Sequence, residues 1–195
     1  RQDSHIIDLT KTVEQLDKAL PFITKVAATK PVLFVGTKKQ AKEIVKTAAE
    51  KAGQPYVTER WIGGMLTNVT TVTAQIKKLK DLERRMASGD LEKRYNKLEV
   101  QRYQEEIDSL NAKYGGIKDM NGRPGVVIVI DTLVDDNAIA EAKTLGVPVV
   151  GIVETNTNPS KVDYPIPGND DAIKGLQLLL DYFVEAVNEG KKKAE

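Results

Sequence analysis

Leu9, Val13, Leu16, Leu20, Ile23 and Ala27 recur at steps of four and three, which predicts a helix with one apolar face over residues 9–29. Pro21 inside it predicts a kink, and Pro31 marks its end. Val32-Leu33-Phe34-Val35 is a continuous apolar run closed by Gly36-Thr37, the pattern of a strand buried on both faces of a parallel sheet. Helical period returns over 38–52, with Ala41, Ile44, Val45, Ala48 and Ala52 on one face and Gly53 as the C-terminal cap. Tyr56-Val57-Thr58 reads as a weaker strand.

The far end repeats the alternation. Val126 to Ile130 predicts a buried strand ending at Asp131, followed by a helix with Ile139, Ala142 and Leu145 that Gly146 stops. Val147 to Val153 predicts the next strand, and turn-rich residues from Asn156 to Pro159 lead to a small apolar piece at Tyr164-Pro165-Ile166. A last helix opens at Asn169, with Asp170 and Asp171 where carboxylates suit a helix N-terminus, and carries Ile173, Leu176, Leu180, Phe183 and Val187 inward until Gly190 and Lys191-Lys192-Lys193 finish it. Strands alternating with helices predict a parallel, helix-covered α/β sheet.

The middle differs. Residues 69–114 hold no strand pattern and no Pro. Val72, Ile76, Leu79, Leu82 and Met86 form one narrow stripe, and Ser88-Gly89-Asp90 is a turn. Leu91, Tyr95 and Leu98 begin a second stripe, which Val100, Tyr103, Ile107, Leu110 and Tyr114 continue after a slip in phase. This predicts an antiparallel, coiled-coil-like helical hairpin over 70–114, inserted between the two parts of the α/β domain, 1–69 and 115–195. The narrow stripe and mixed outer charges predict that it projects into solvent or onto a partner.

Composition narrows the function. The 195 residues contain no Cys, which excludes a disulfide scaffold, a Cys-based zinc site and a thiol nucleophile, and is compatible with a reducing cytosol. No apolar run approaches the roughly 20 residues that span a bilayer, and the first residues lack a signal-peptide pattern. A start at Arg1 rather than Met leaves room for upstream residues. The net charge of +1 is unevenly distributed. Residues 1–68 carry +4, residues 69–118 carry +3 and residues 119–195 carry −6, a basic front and an acidic back.

Catalytic patterns are thin. Gly36-Thr37-Lys38-Lys39 sits where a phosphate-binding turn would, but lacks both the Walker A ending and a dinucleotide fingerprint. Asp131, Asp135 and Asp136 have no second acidic pair to complete a magnesium site, and helix capping accounts for Asp135 and Asp136. His5 has no triad partner at a recognisable spacing. No cofactor or metal is expected. The stronger pattern is basic: Lys39, Lys42 and Lys46 fall within about 60° of one another on the helix predicted at 38–52. Glu59-Arg60-Trp61-Ile62-Gly63-Gly64-Met65-Leu66-Thr67-Asn68 then joins the single Trp, an Arg and a double Gly in one loop. Gly-Gly admits a close backbone approach, and Trp and Arg planes stack on bases or riboses.

This loop resembles the signature of the bacterial-type small ribosomal subunit protein two family. Three further stretches match it in order: Phe34 to Ala41, Gly115 to Met120, and Ile166 to Ile173. The resemblance covers nearly the whole chain and implies a flavodoxin-like three-layer α/β sandwich with an inserted coiled-coil hairpin. It implies a non-catalytic, cytoplasmic role in the small ribosomal subunit: binding its ribosomal RNA beside other small-subunit proteins and helping ribosomal protein one to dock. The family also carries an upstream segment rich in Gly, His and Phe before the stretch matching His5-Ile6-Ile7-Asp8, and this sequence reads as a trimmed form.

The expected mechanism is recognition of folded RNA by shape and backbone. Lys38, Lys39, Lys42, Lys46 and Arg60 are expected on phosphates, with Trp61, Gly63, Gly64, Thr67 and Asn68 packing against ribose or an unstacked base. Lys77, Lys78, Arg84 and Arg85 of the hairpin are expected to add contacts at longer reach, while the acidic final third faces solvent or protein. Two alternatives stand beside this: a flavodoxin-like phospholigand-binding enzyme using Gly36–Lys39 and Asp131, and a protein-interaction adaptor acting through the hairpin.

Overall fold

The structure is a computed structural model describing residues 7–154, 157–169 and 172–194. His5, Asn156, Asp170 and Asp171, singled out above, lie outside the described residues. The elements in chain order are α1 (Leu9–Ala27), β1 (Val32–Val35), α2 (Lys42–Ala52), β2 (Tyr56–Val57), α3 (Val69–Ala87), α4 (Asp90–Arg94), α5 (Lys97–Tyr114), β3 (Val126–Val129), α6 (Asp136–Thr144), β4 (Val149–Val153), β5 (Tyr164–Pro167) and α7 (Ile173–Lys192). The strands form one five-stranded sheet in the order β2-β1-β3-β4-β5, every pair parallel. That is the doubly wound order of flavodoxin-like sandwiches, with the switch point between β1 and β3.

Alternate side chains of each strand feed two cores. Val32, Phe34, Val126, Ile128, Val150 and Ile152 pack with Ile23 of α1, Val45 of α2 and Leu176 and Phe183 of α7. Leu33, Val35, Val127, Val129 and Val149 face the other way, onto Ala138, Ile139 and Ala142 of α6. Full burial of each such aliphatic or aromatic side chain contributes roughly 1.5–3 kcal/mol. With α1, α2 and α7 all on the first face, α6 is the one remaining α/β helix for the second. The same core takes in Trp61, Met65, Leu66 and Ile117, and runs on into Leu79, Leu82, Ile107, Leu110 and Tyr114 of α3 and α5, which pack on each other.

In the segment at 69–114, α3 and α5 pack on each other, and a short helix, α4, follows the turn expected to join them directly. The middle of α3 and the end of α5 belong to the second core. The slip in phase near residue 98 is a helix break: Tyr95 is extended, and Asn96 starts α5 with a reciprocal capping box to Glu99.

Two smaller expectations are corrected. The apolar piece at Tyr164 is a true strand, β5, and its Pro165 and Pro167 are tolerated because β5 pairs with β4 alone at the sheet edge. The last helix begins at Ile173 rather than Asn169, because Gly168 N–H still donates to the Val153 carbonyl at 3.1 Å and holds the chain along the sheet. α7 ends at Lys192, within the stretch from Gly190 to Lys193 expected to finish it; a Cβ at Gly190 would lie 2.2 Å from the Thr24 carbonyl oxygen, so glycine is what lets α1 cross so closely. α1 runs through Pro21 without interruption.

Candidate nucleic-acid interface

The loop from Arg60 to Asn68 follows the edge strand β2 and ends where Asn68 caps α3, its Oδ1 accepting from Thr71 N–H at 3.3 Å. Its apolar members point inward: Trp61 is 7 % exposed, and Met65 and Leu66 are buried beside it. Burying this loop takes its backbone donors out of water, and they need an acceptor. Glu141 of α6 supplies it. Its Oε1 accepts from the Trp61 indole N–H at 3.0 Å and from Gly64 N–H at 2.7 Å. Its Oε2 accepts from Leu66 N–H at 3.0 Å, Thr67 N–H at 3.2 Å and the Thr67 hydroxyl at 3.1 Å. Burial alone would raise the Glu141 pKa; the Trp61, Leu66, Gly64 and Thr67 hydrogen bonds outweigh it and hold the carboxyl below its ordinary value.

The two glycines differ. Gly64 has φ of +88°, a conformation that L side chains rarely adopt, so the turn itself requires it. Gly63 lies at negative φ with no heavy atom within 4 Å of an added Cβ, so nothing within the protein requires a glycine there.

The basic residues separate by what they already hold. Lys42 donates to Glu59 Oε2 at 2.7 Å, a bond that ties α2 to the residue before Arg60. Arg60, Lys39 and Lys46 are exposed, and none makes an ion pair among the described residues. Lys39 does not share the helical row with Lys42 and Lys46, because α2 starts only at Lys42. Residues 38–41 form a turn instead, with the Lys38 carbonyl accepting from Ala41 and Lys42 N–H at 2.9 and 3.1 Å. Lys38 Nζ lies 3.5 Å from Asp131 Oδ2. In the helical segment Lys78 pairs with Glu106, Arg84 with Asp81, and Arg85 with Asp90 at 3.1 Å, which leaves Lys77 without an ion pair among the described residues.

The crevice at the switch point is filled by the protein's own groups. Asp135 is 2 % exposed and accepts from Thr37 Oγ1 at 2.7 Å and Thr37 N–H at 3.2 Å. Asp131 accepts from Leu133 and Val134 N–H, both at 2.9 Å. Asp135 thus stands at the head of α6 without capping it by its side chain, contrary to the capping expected from sequence, because Thr37 claims its carboxylate. Burial raises the Asp135 pKa, the Thr37 bonds lower it less, and the neighbouring Asp131 charge adds to the rise. Two carboxylates where a phosphate would sit repel an anion, which counts against the phospholigand alternative.

Glu141 is the residue that sequence reasoning missed. Its one visible signal is position: it adjoins the Ala138, Ile139, Ala142 stripe of α6, where a charge facing the core needs partners.

The model of the family described as ribosomal protein S2 matches residues 1–190. The small ribosomal subunit protein uS2 of Aeromonas salmonicida is 51 % identical over 192 residues, covering 98 % of this chain and 79 % of that protein. The protein of the same name from Pseudoalteromonas atlantica is 50 % identical over 194 residues, covering 99 % of this chain and 79 % of its own length.

Proposed function

The chain belongs to the ribosomal protein S2 family, and from that premise we propose that it is a structural, non-enzymatic constituent of the small ribosomal subunit, in the cytoplasm, that binds small-subunit ribosomal RNA. The observation that carries the RNA reading is that Lys39, Lys46 and Arg60 are exposed and hold no ion pair among the described residues. Arg60, Lys39 and Lys46 contact phosphates, Lys42 joins them by exchanging Glu59 for a phosphate, and Lys77 adds a contact from α3. Lys78, Arg84, Arg85 and Lys38 contribute less, since each already faces a carboxylate. Trp61, Gly64, Thr67 and Asn68 act from within, by holding the loop's shape, while Gly63 offers its bare backbone to a ribose or phosphate.

Residues 70–114 are an insertion that turns its charged outer faces toward partners. Docking of ribosomal protein one rests on the family resemblance alone. The test is a salt titration of binding to purified small-subunit ribosomal RNA. About five phosphate contacts predict a log–log slope of roughly −3.5 to −4.5. A slope near zero, or no binding at low salt, contradicts the reading.

A further inference from the structure

We infer that Glu141 is a positioning residue for RNA recognition, holding the loop so that Arg60 and Gly63 face outward. This rests on the RNA reading above and deepens it. Both Glu141 oxygens are fully engaged, by the five donors of Trp61, Gly64, Leu66 and Thr67. No Lys or Arg pairs with Glu141 among the described residues, so its charge is balanced by N–H and O–H dipoles alone. The consequence falls on Arg60. One position before Trp61, it has a carboxylate close by in sequence at Glu59, which Lys42 takes, and a second anchored under the loop at Glu141, which the loop's own donors saturate. The only cation of the signature loop is therefore left without an internal partner.

A carboxylate is the side chain this site requires. Glutamine offers one acceptor oxygen and one donor NH₂, and either orientation aims that donor at two N–H groups. Aspartate keeps the acceptors but is one methylene shorter.

The test uses the full chain with purified small-subunit ribosomal RNA, together with acrylamide quenching of Trp61, the sole tryptophan. Glu141→Gln is expected to expose Trp61 to quencher and to weaken RNA binding about tenfold at every salt concentration, leaving the salt slope unchanged because no phosphate contact is lost. Arg60→Ala is expected to do the reverse, reducing the slope by about one and leaving Trp61 shielded. Glu141→Asp is expected to recover part of the affinity. Should Glu141→Gln fail to fold, Thr67→Val removes a single donor and is expected to lower affinity about two- to fivefold in the same manner. Wild-type affinity in a folded Glu141→Gln variant, with or without exposure of Trp61, overturns the positioning role and leaves the RNA reading standing. Absence of RNA binding by the unmodified chain overturns the RNA reading, and the inference with it.

Discussion

The indole N–H of Trp61 donates to Glu141 Oε1 at 3.0 Å across 80 positions of sequence. This bond joins the signature loop to α6, and so to the second core of the sheet. It makes Trp61 part of the protein's interior rather than a displayed stacking platform.

Replacing Trp61 should act first on stability. Trp61→Ala removes a buried aromatic and leaves a cavity, which costs about 3–5 kcal/mol. Trp61→Phe keeps most of the ring packing and loses one hydrogen bond to a charged acceptor, at about 1.5–3 kcal/mol. Urea unfolding followed by circular dichroism checks both. If Trp61→Ala keeps wild-type stability while losing RNA binding, the ring is a contact residue after all.

The two glycines should separate fold from binding. Gly64→Ala forces a side chain into a left-handed conformation and is expected to cost about 1–2 kcal/mol. Gly63→Ala meets nothing within the protein and is expected to leave unfolding unchanged while weakening RNA binding. Thermal melting and RNA titration of the two variants measure this; equal RNA affinity for Gly63→Ala and wild type contradicts a close approach there.

Acid should open the loop. The Glu141 pKa is lowered in the folded protein, so its contribution is present above the ordinary glutamate value of 4.5 and is lost as pH falls through the lower folded value. Trp61 quenching is expected to stay low at neutral pH and to rise below pH 4.5. Glu141→Gln should show no such step.

The switch point should behave oppositely. Asp135 is raised above its ordinary 3.8, so any stability it contributes is present below that value and is lost as pH rises through the folded one. Thr37→Val removes a bond to the charged form and is expected to destabilise by about 1–3 kcal/mol at pH 7, and by less as the pH is lowered and Asp135 takes up a proton. Adding a nucleotide or sugar phosphate is expected to leave the melting temperature unchanged. A saturable rise would favour the phospholigand alternative.

The parallel sheet was legible because its strands are short unbroken runs such as Val32–Val35, a pattern that local sequence carries in full. β5 was not, since Pro165 and Pro167 argue against a strand until the chain is known to lie at a sheet edge. The phase slip in the second helical stripe was visible; its cause, a capping box at Asn96 and Glu99, needed backbone geometry to be recognised. The signature loop stood out by composition, whereas its organiser lay on another element. Hydrogen bonds from residues 61–67 to residue 141 leave no periodic trace in a single sequence.

The most direct measurement of the central claim is sedimentation. An epitope-tagged chain is expressed in bacterial cells, and the lysate is resolved on a sucrose gradient at low salt. The account predicts that the tag co-sediments with small subunits, and that a folded Lys39→Ala, Lys46→Ala, Arg60→Ala variant shifts toward the free-protein fractions. Sedimentation of the unmodified chain as free protein without RNA, or full incorporation of the triple variant, would contradict it.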